Sequence, residues 1–327
     1  MVTRRRVVIV LGALAYAPCR LLAQQSAKVS RIGLLSALGE SSVSARVTAF
    51  RSGLKDLGYV EGKNVVIEYR YADGDPERLR SMAAELARLK VDVIVATGPT
   101  TTPAAKAATS TIPIVMGFDS DPVGAGLINS LARPGGNITG LSGLSPELSG
   151  KQLELLKEIV PKLARVAVVG SSTAAGGAQS LSAIELAADA LKVKLQYLNV
   201  RDLEDIKSAF REAGKARAGA MIVLANSAAT NHRKAVAELA LKSRLPAMYY
   251  TSEFVEDGGL MTYGVSSTDL FRRAATYVDK ILKGAKPGDL PVEQPTLFEL
   301  VINMKTATAL GIKFPNSILV RATKIIE

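Results

Sequence analysis

From Arg31 onward the chain alternates short apolar runs with stretches of helical spacing. Residues 32–35 read as a strand. In the next stretch Val43, Val47, Phe50, Leu54 and Leu57 recur every three to four residues, one face of a helix, and Gly58 stops it. Residues 64–71 predict a second strand. Asp75-Pro76 opens a helix with proline at its first position, its inner face formed by Leu79, Met82, Ala83, Leu86 and Leu89. Residues 91–96 predict a third strand ending at Gly98. A short helix over 101–108 leads to a fourth strand at 114–116. This alternation is that of a parallel, doubly wound sheet.

The cluster Arg133-Pro134-Gly135-Gly136-Asn137 is a turn, and after it the pattern restarts. Helices are expected at 146–160, 179–191, 203–216 and 229–243, and strands at 166–169, 194–200, 220–224 and 247–250. The repetition is architectural, with no repeat of residues. The length of 327 residues suits two domains of about 150 each. One more amphipathic helix covers 268–282, and a strand-like run follows at 298–303. A single helix added after the second series returns to cap the first sheet. The expected fold class is therefore α/β, two doubly wound parallel-sheet lobes joined by a multi-crossing hinge. Residues 30–142 with 265–286 would make one lobe, and 143–264 with 287–327 the other. Repeated crossings favour a closing cleft.

The first 23 residues follow another pattern. Arg4, Arg5 and Arg6 precede an apolar run over 7–17, and Leu22-Ala23 ends the segment before Gln24-Gln25. This is the layout of a cleaved export signal at 1–23, too short to span a bilayer comfortably. It implies a periplasmic protein exported by the Sec or Tat route, since Arg4-Arg5-Arg6 also resembles a twin-arginine signal. Cys19 follows Pro18, with Tyr16 three places before it, which does not fit a lipid-modified cysteine.

Charge and composition narrow the chemistry. The sequence has 41 Lys plus Arg against 30 Asp plus Glu. Four of those arginines lie in the export segment, and the rest of the basic residues are interspersed with acids. No basic stripe with interleaved aromatics points to nucleic acid. One Cys and one His exclude a disulfide framework and a Cys- or His-rich metal site, so no metal and no cofactor are expected. No nucleophile elbow, Walker A loop, dinucleotide fingerprint or H-E-x-x-H is found, and no catalytic residue is assigned.

Ligands of open α/β sheets lie beyond the carboxyl ends of the strands. Those ends carry Ser36, Ser41 and Ser42; Gly98, Thr100 and Thr101; Phe118, Asp119 and Asp121; Ser171 and Ser172; Asn226; and Tyr249. Tyr263 joins them as a possible cover for an apolar ligand face. Hydroxyls and free N–H groups at helix starts hold a carboxylate, and Asp119 or Asp121 suits an ammonium. The same Ser, Thr and Asp positions also suit helix caps, and one of Tyr249 and Tyr250 is expected to pack. His232 reads as a surface side chain. Three functions remain open: a solute receptor, a ligand sensor, or a hydrolase on the same frame. An enzyme would set carboxylates of perturbed pKa face to face in the cleft. A receptor would line it with hydroxyls and amides.

Several blocks then carry a resemblance: Leu57-Gly58-Tyr59-Val60-Glu61-Gly62-Lys63-Asn64, Asp121-Pro122-Val123-Gly124-Ala125-Gly126-Leu127, Ala132-Arg133-Pro134-Gly135-Gly136-Asn137, Ser149-Gly150-Lys151-Gln152-Leu153 and Gly258-Gly259-Leu260-Met261-Thr262-Tyr263-Gly264. In this order they resemble the ABC-transporter substrate-binding proteins related to tryptophan/tyrosine-uptake receptors. The resemblance implies a type I periplasmic-binding-protein-like fold with three crossings and a small-molecule ligand, such as an amino acid, between the lobes. It further implies an ABC permease in the inner membrane as partner; a receptor that docks one is expected to be a monomer, and the interspersed charges point to no nucleic-acid partner. The chain departs from the family pattern at Gly170-Ser171-Ser172, where relatives carry an Asn after the strand.

Overall fold

The computed structural model describes residues 29–143, 145–171, 176–295 and 297–327. The export segment and Ser172 lie outside the described residues.

The first half of the chain winds one sheet. Its elements are β1 (Ser30–Ser36), α1 (Glu40–Asp56), β2 (Val65–Tyr71), α2 (Pro76–Arg88), β3 (Val93–Ala96), α3 (Thr101–Ala108), β4 (Ile114–Asp119) and β5 (Ile138–Ser142). All five strands are parallel, in the order β2-β1-β3-β4-β5. The central strand β3 is Val-Ile-Val-Ala, buried throughout, because helices cover both faces of a parallel sheet. Asp75 starts α2 by accepting hydrogen bonds from the N–H groups of Glu77 at 2.8 Å and Arg78 at 3.2 Å.

The second half continues through α4 (Ser145–Ile159), β6 (Arg165–Gly170), α5 (Gly177–Leu191), β7 (Lys194–Asn199), α6 (Leu203–Lys215), β8 (Ala220–Val223), α7 (Ser227–Asn231), α8 (Arg233–Lys242), β9 (Ala247–Tyr249), α9 (Glu253–Glu256) and β10 (Met261–Val265). Then come α10 (Ser267–Leu282), a 3-10 turn at Pro287–Asp289, β11 (Phe298–Asn303), α11 (Met304–Leu310), α12 (Asn316–Arg321) and β12 (Lys324–Ile326). The second sheet runs β12-β11-β10-β9-β8-β6-β7. Its part β7-β6-β8-β9-β10 repeats the winding of the first sheet, and β11 joins antiparallel to β10.

The extra helix does return. Leu270, Phe271, Ala274, Tyr277 and Val278 of α10 are buried in one core with Phe50 and Leu54 of α1 and Ile32 and Leu34 of β1. Residues 287–293, expected with the second lobe, also lie along the first sheet. The Glu293 N–H donates to the Gly140 carbonyl at 3.1 Å, and the Glu293 carbonyl accepts from Ser142 N–H at 2.9 Å. The chain thus passes between the sheets after β5, after β10 and before β11.

Other differences from the sequence reading have local causes. Strand β5 was not expected, because Gly140 interrupts its short apolar run. That glycine has φ +129°, and a Cβ there would stand 2.3 Å from the Met116 carbonyl oxygen. The helix expected over 229–243 is two, α7 and α8, parted at His232, which has φ −117° and is half-buried rather than a freely exposed side chain. Among the described residues no helix is long and apolar enough to cross a membrane. No group of three His, Cys, Asp or Glu among them is placed to hold a metal ion.

Candidate functional site

Each sheet reverses its winding once, between β1 and β3 in the first and between β6 and β8 in the second. Crevices of doubly wound sheets form at those points. The loops after β1 and β3 supply Ala37, Leu38, Thr97, Gly98, Pro99, Thr100 and Thr101 to one cavity, and β4 adds Phe118. From the other lobe come Ala225, Asn226 and Ser227 after β8, Thr230 of α7, and Tyr250 after β9. Arg46 reaches in from α1, and the cavity holds about 60 Å³. Wider hollows of about 380 and 390 Å³ lie beside α1 and β2 and beside α9 and β12, away from both reversal points.

The lining is built from polar groups fixed by the backbone. Thr101 Oγ1 accepts from Ala37 N–H at 3.3 Å, tying the loop after β3 to the loop after β1. Thr100 stands at the N-cap of α3, yet its side chain makes no capping bond. Asn226 caps α7, its Oδ1 accepting from Ala229 N–H at 2.7 Å while its Nδ2 donates to the Leu224 carbonyl at 2.8 Å. Thr230 Oγ1 donates to the Asn226 carbonyl at 2.7 Å and is also bonded to the Tyr250 hydroxyl. Burial pushes the Tyr250 phenol pKa up, so it remains protonated.

One charged side chain lines the cavity among the described residues. Arg46 Nε lies 2.9 Å from Glu253 Oε1, and the two side chains are 7% and 9% exposed. Burial works against the charge on each. Their mutual attraction more than offsets it, raising the Arg46 pKa further and holding Glu253 down to about 2. Ser267 Oγ also donates to Glu253 Oε1, at 2.8 Å. Asp119 is the contrasting case: burial pushes its pKa up to about 6, against nearby donors. Its Oδ2 has no hydrogen-bond partner among the described residues.

The residues singled out in the sequence separate into two groups. Gly98, Thr100, Thr101, Phe118 and Asn226 come together at the cavity. The others take different places. Ser36 is fully buried, its Oγ accepting from Leu38 N–H at 3.0 Å. Ser41 is exposed on the first turn of α1, and the Ser42 carbonyl accepts from Arg233 Nη1 at 3.0 Å. Asp119 is buried behind Phe118, since successive strand residues face opposite ways. Asp121 closes a turn, accepting from Gly124 N–H at 2.8 Å, and takes a bond from Gln179 Nε2 of α5 at 3.4 Å. Ser171 is half-buried after β6 and is not among the cavity residues.

The tyrosine assignments change. Tyr249 is fully buried in the second-lobe core, stacked on Phe254 with ring centroids 4.8 Å apart. The next residue, Tyr250, faces the cavity instead, as strand alternation requires. Tyr263 packs near Phe298 on β11, beside Lys151 and Leu155, outside the cavity. The strand-end pattern does not mark Arg46 and Thr230, because both sit inside helices rather than in strand-end loops. For Arg46 a signal existed: it follows Val43 by three positions, a charge on the buried face of α1.

The chain matches the model of the ABC transporter substrate binding protein family over residues 31–326 and belongs to that family, whose members bind ligands and are not enzymes. Its lobes have the type I periplasmic-binding-protein-like architecture. It is 29% identical to a tyrosine-binding protein of Clostridioides difficile over 292 residues, 88% of this chain and 83% of that one. A conserved domain protein from Vibrio cholerae superposes with a TM-score of 0.86 at 30% identity, covering 91% of this chain and all (100%) of the other. An ABC domain from Streptococcus pneumoniae, solved in complex with L-Trp, superposes with a TM-score of 0.83 at 27% identity, covering 90% and 100%.

Proposed function

We propose that this protein is the exported solute receptor of an ABC importer. It takes a small solute, an amino acid or a related small carboxylate, into the interlobe cavity by hinge closure. It then presents the closed form, as a monomer, to an inner-membrane permease. The observation that carries this reading is that one cavity draws its walls from both lobes: Thr97 to Thr101 after β3 on one side, Ala225 to Ser227 after β8 on the other. A solute held there touches both lobes only when they meet. Its differential affinity for the closed state is what shifts the open–closed balance.

The lining supports capture rather than chemistry. Hydroxyls, an amide and aromatic rings face the cavity, and no carboxylate is among the described lining residues. The relatives named for tyrosine and solved with L-Trp favour an aromatic amino acid as the first solute to try. The basic and apolar start of the sequence supports export to the periplasm. The lobes would comprise 30–142 with 265–293, and 145–264 with the remainder.

A thermal-shift screen of the purified chain against amino acids, small carboxylates, purines and sugars tests the reading. A solute that binds only the folded form stabilises it by about 2.7 kcal/mol at a hundredfold excess over Kd. A shift with an aromatic amino acid supports the receptor and names its solute class. No shift with any of these solutes sinks it.

A further inference from the structure

Arg46 is the one charged group among the described cavity residues, and its hydrogen bonding is incomplete. A guanidinium presents five N–H donors in a planar fork. In this structure Nε donates to Glu253 Oε1 at 2.9 Å, while Nη1 and Nη2 donate to no described residue. Both nitrogens belong to a side chain only 7% exposed that lines the cavity. Donors on a charged group in so sheltered a place gain from an acceptor that a ligand brings.

The lining side chains do not supply those acceptors in this structure. Asn226 spends its Oδ1 on Ala229 and its Nδ2 on Leu224. Thr230 and Tyr250 are bonded to each other, and Thr101 Oγ1 is held by Ala37. A carboxylate matches the free edge of the fork with two parallel N–H···O bonds, the strongest arrangement available to arginine. The hydroxyl of Thr100, which makes no cap bond at the start of α3, adds a further donor at the cavity.

The partner of Arg46 matters as much. Arg46 belongs to α1 of the first lobe and Glu253 to α9 of the second, so their ion pair spans the cleft. Glu253 fixes the guanidinium by one nitrogen and leaves the other two without a bond among the described residues. We propose that Arg46 determines specificity by taking the anionic group of the solute on its Nη edge, with Glu253 holding the fork in place when the lobes meet. The solute class is therefore one that carries a carboxylate. This rests on the receptor reading above and adds to it the residue that reads the solute's charge.

The test uses paired probes: L-tyrosine with tyramine, L-tryptophan with tryptamine, and a panel of small carboxylic acids with their primary amides. Binding is measured by titration calorimetry on the wild-type chain and on Arg46→Gln, Glu253→Gln and the double variant. In the wild type the acid of a binding pair is expected to bind at least about a hundredfold tighter than its uncharged or decarboxylated partner. Arg46→Gln and the double variant should remove that gap. Glu253→Gln should weaken both members of a pair by a similar factor and keep the gap. The double variant leaves no unpaired buried charge, so it serves if Arg46→Gln does not fold. Equal binding of acid and partner in the wild type, or a gap that survives loss of Arg46, overturns the proposal and leaves the receptor reading standing. Binding of no probe at all overturns both.

Discussion

Gly53 of α1 lies against the backbone of Arg272 in α10: a Cβ on Gly53 would stand 2.4 Å from the Arg272 carbonyl oxygen. The two helices pack face to face because nothing projects between them. Gly53→Ala is expected to lower stability by about 1–3 kcal/mol, more than the gain of about 1 kcal/mol that alanine brings within a helix. A thermal melt compared with Gly214→Ala, where a Cβ meets nothing within 4 Å, checks it. The Gly214 change should be neutral or stabilising.

The Arg46–Glu253 pair gives stability a dependence on acid pH. Glu253 has a folded pKa of about 2, held there against burial by Arg46, below its unfolded value of about 4.3. Its contribution is complete above the unfolded pKa and is lost as pH falls toward 2. Removing one partner strands the other charge, so Glu253→Gln should cost roughly 3–5 kcal/mol at neutral pH. Urea denaturation at pH 7 and pH 3 should show the variant's deficit shrinking in acid. A deficit that does not change with pH would mean the loss is one of packing.

Asp119 acts in the opposite direction. Its folded pKa of about 6 lies above the unfolded value of about 3.9, because burial disfavours the charge. Between those pH values the folded state binds the extra proton, so stability falls as pH rises from about 4 to 6. Asp119→Asn keeps the shape and an acceptor for Asp121 N–H. It should raise the melting temperature at pH 8 and change it little at pH 4. An equal shift at both pH values would rule out ionisation as the cause.

Thr100 and Asp121 should part company on mutation. The Thr100 side chain makes no cap bond and faces the cavity, so Thr100→Ala should weaken solute affinity while leaving the melting temperature within about 1 °C. Asp121 bonds Gly124 N–H and Gln179, so Asp121→Ala should lower stability by about 0.5–2 kcal/mol. Calorimetric binding of a solute found by the thermal screen, alongside melts, separates the two. A large fall in melting temperature for Thr100→Ala would make that residue a structural one.

Much of this organisation was legible in the apolar pattern. The strand at Ile32 to Leu35 and the helix begun by Asp75-Pro76 carry strong periodic signals, and α10 announces itself by Leu270, Ala274, Val278 and Ile281 on one face. What escaped depends on contacts distant in sequence. Strand β5 is short and broken by a glycine that only the approach of Met116 explains. Tyr249 and Tyr250 are indistinguishable until the register of β9 is known. Arg46 stands among apolar members on the buried face of its helix, where the periodic pattern marks no charge. Its partner Glu253 lies 207 positions away.

The route of the chain has a consequence for biosynthesis. The core that contains β1 and α1 is completed by Phe271, Tyr277 and Val278. A ribosome makes the five strands of the first sheet early, but that sheet keeps an apolar face uncovered until α10 has emerged, well after all of α4 to α9. The amino-terminal lobe is thus the first begun and cannot be the first finished.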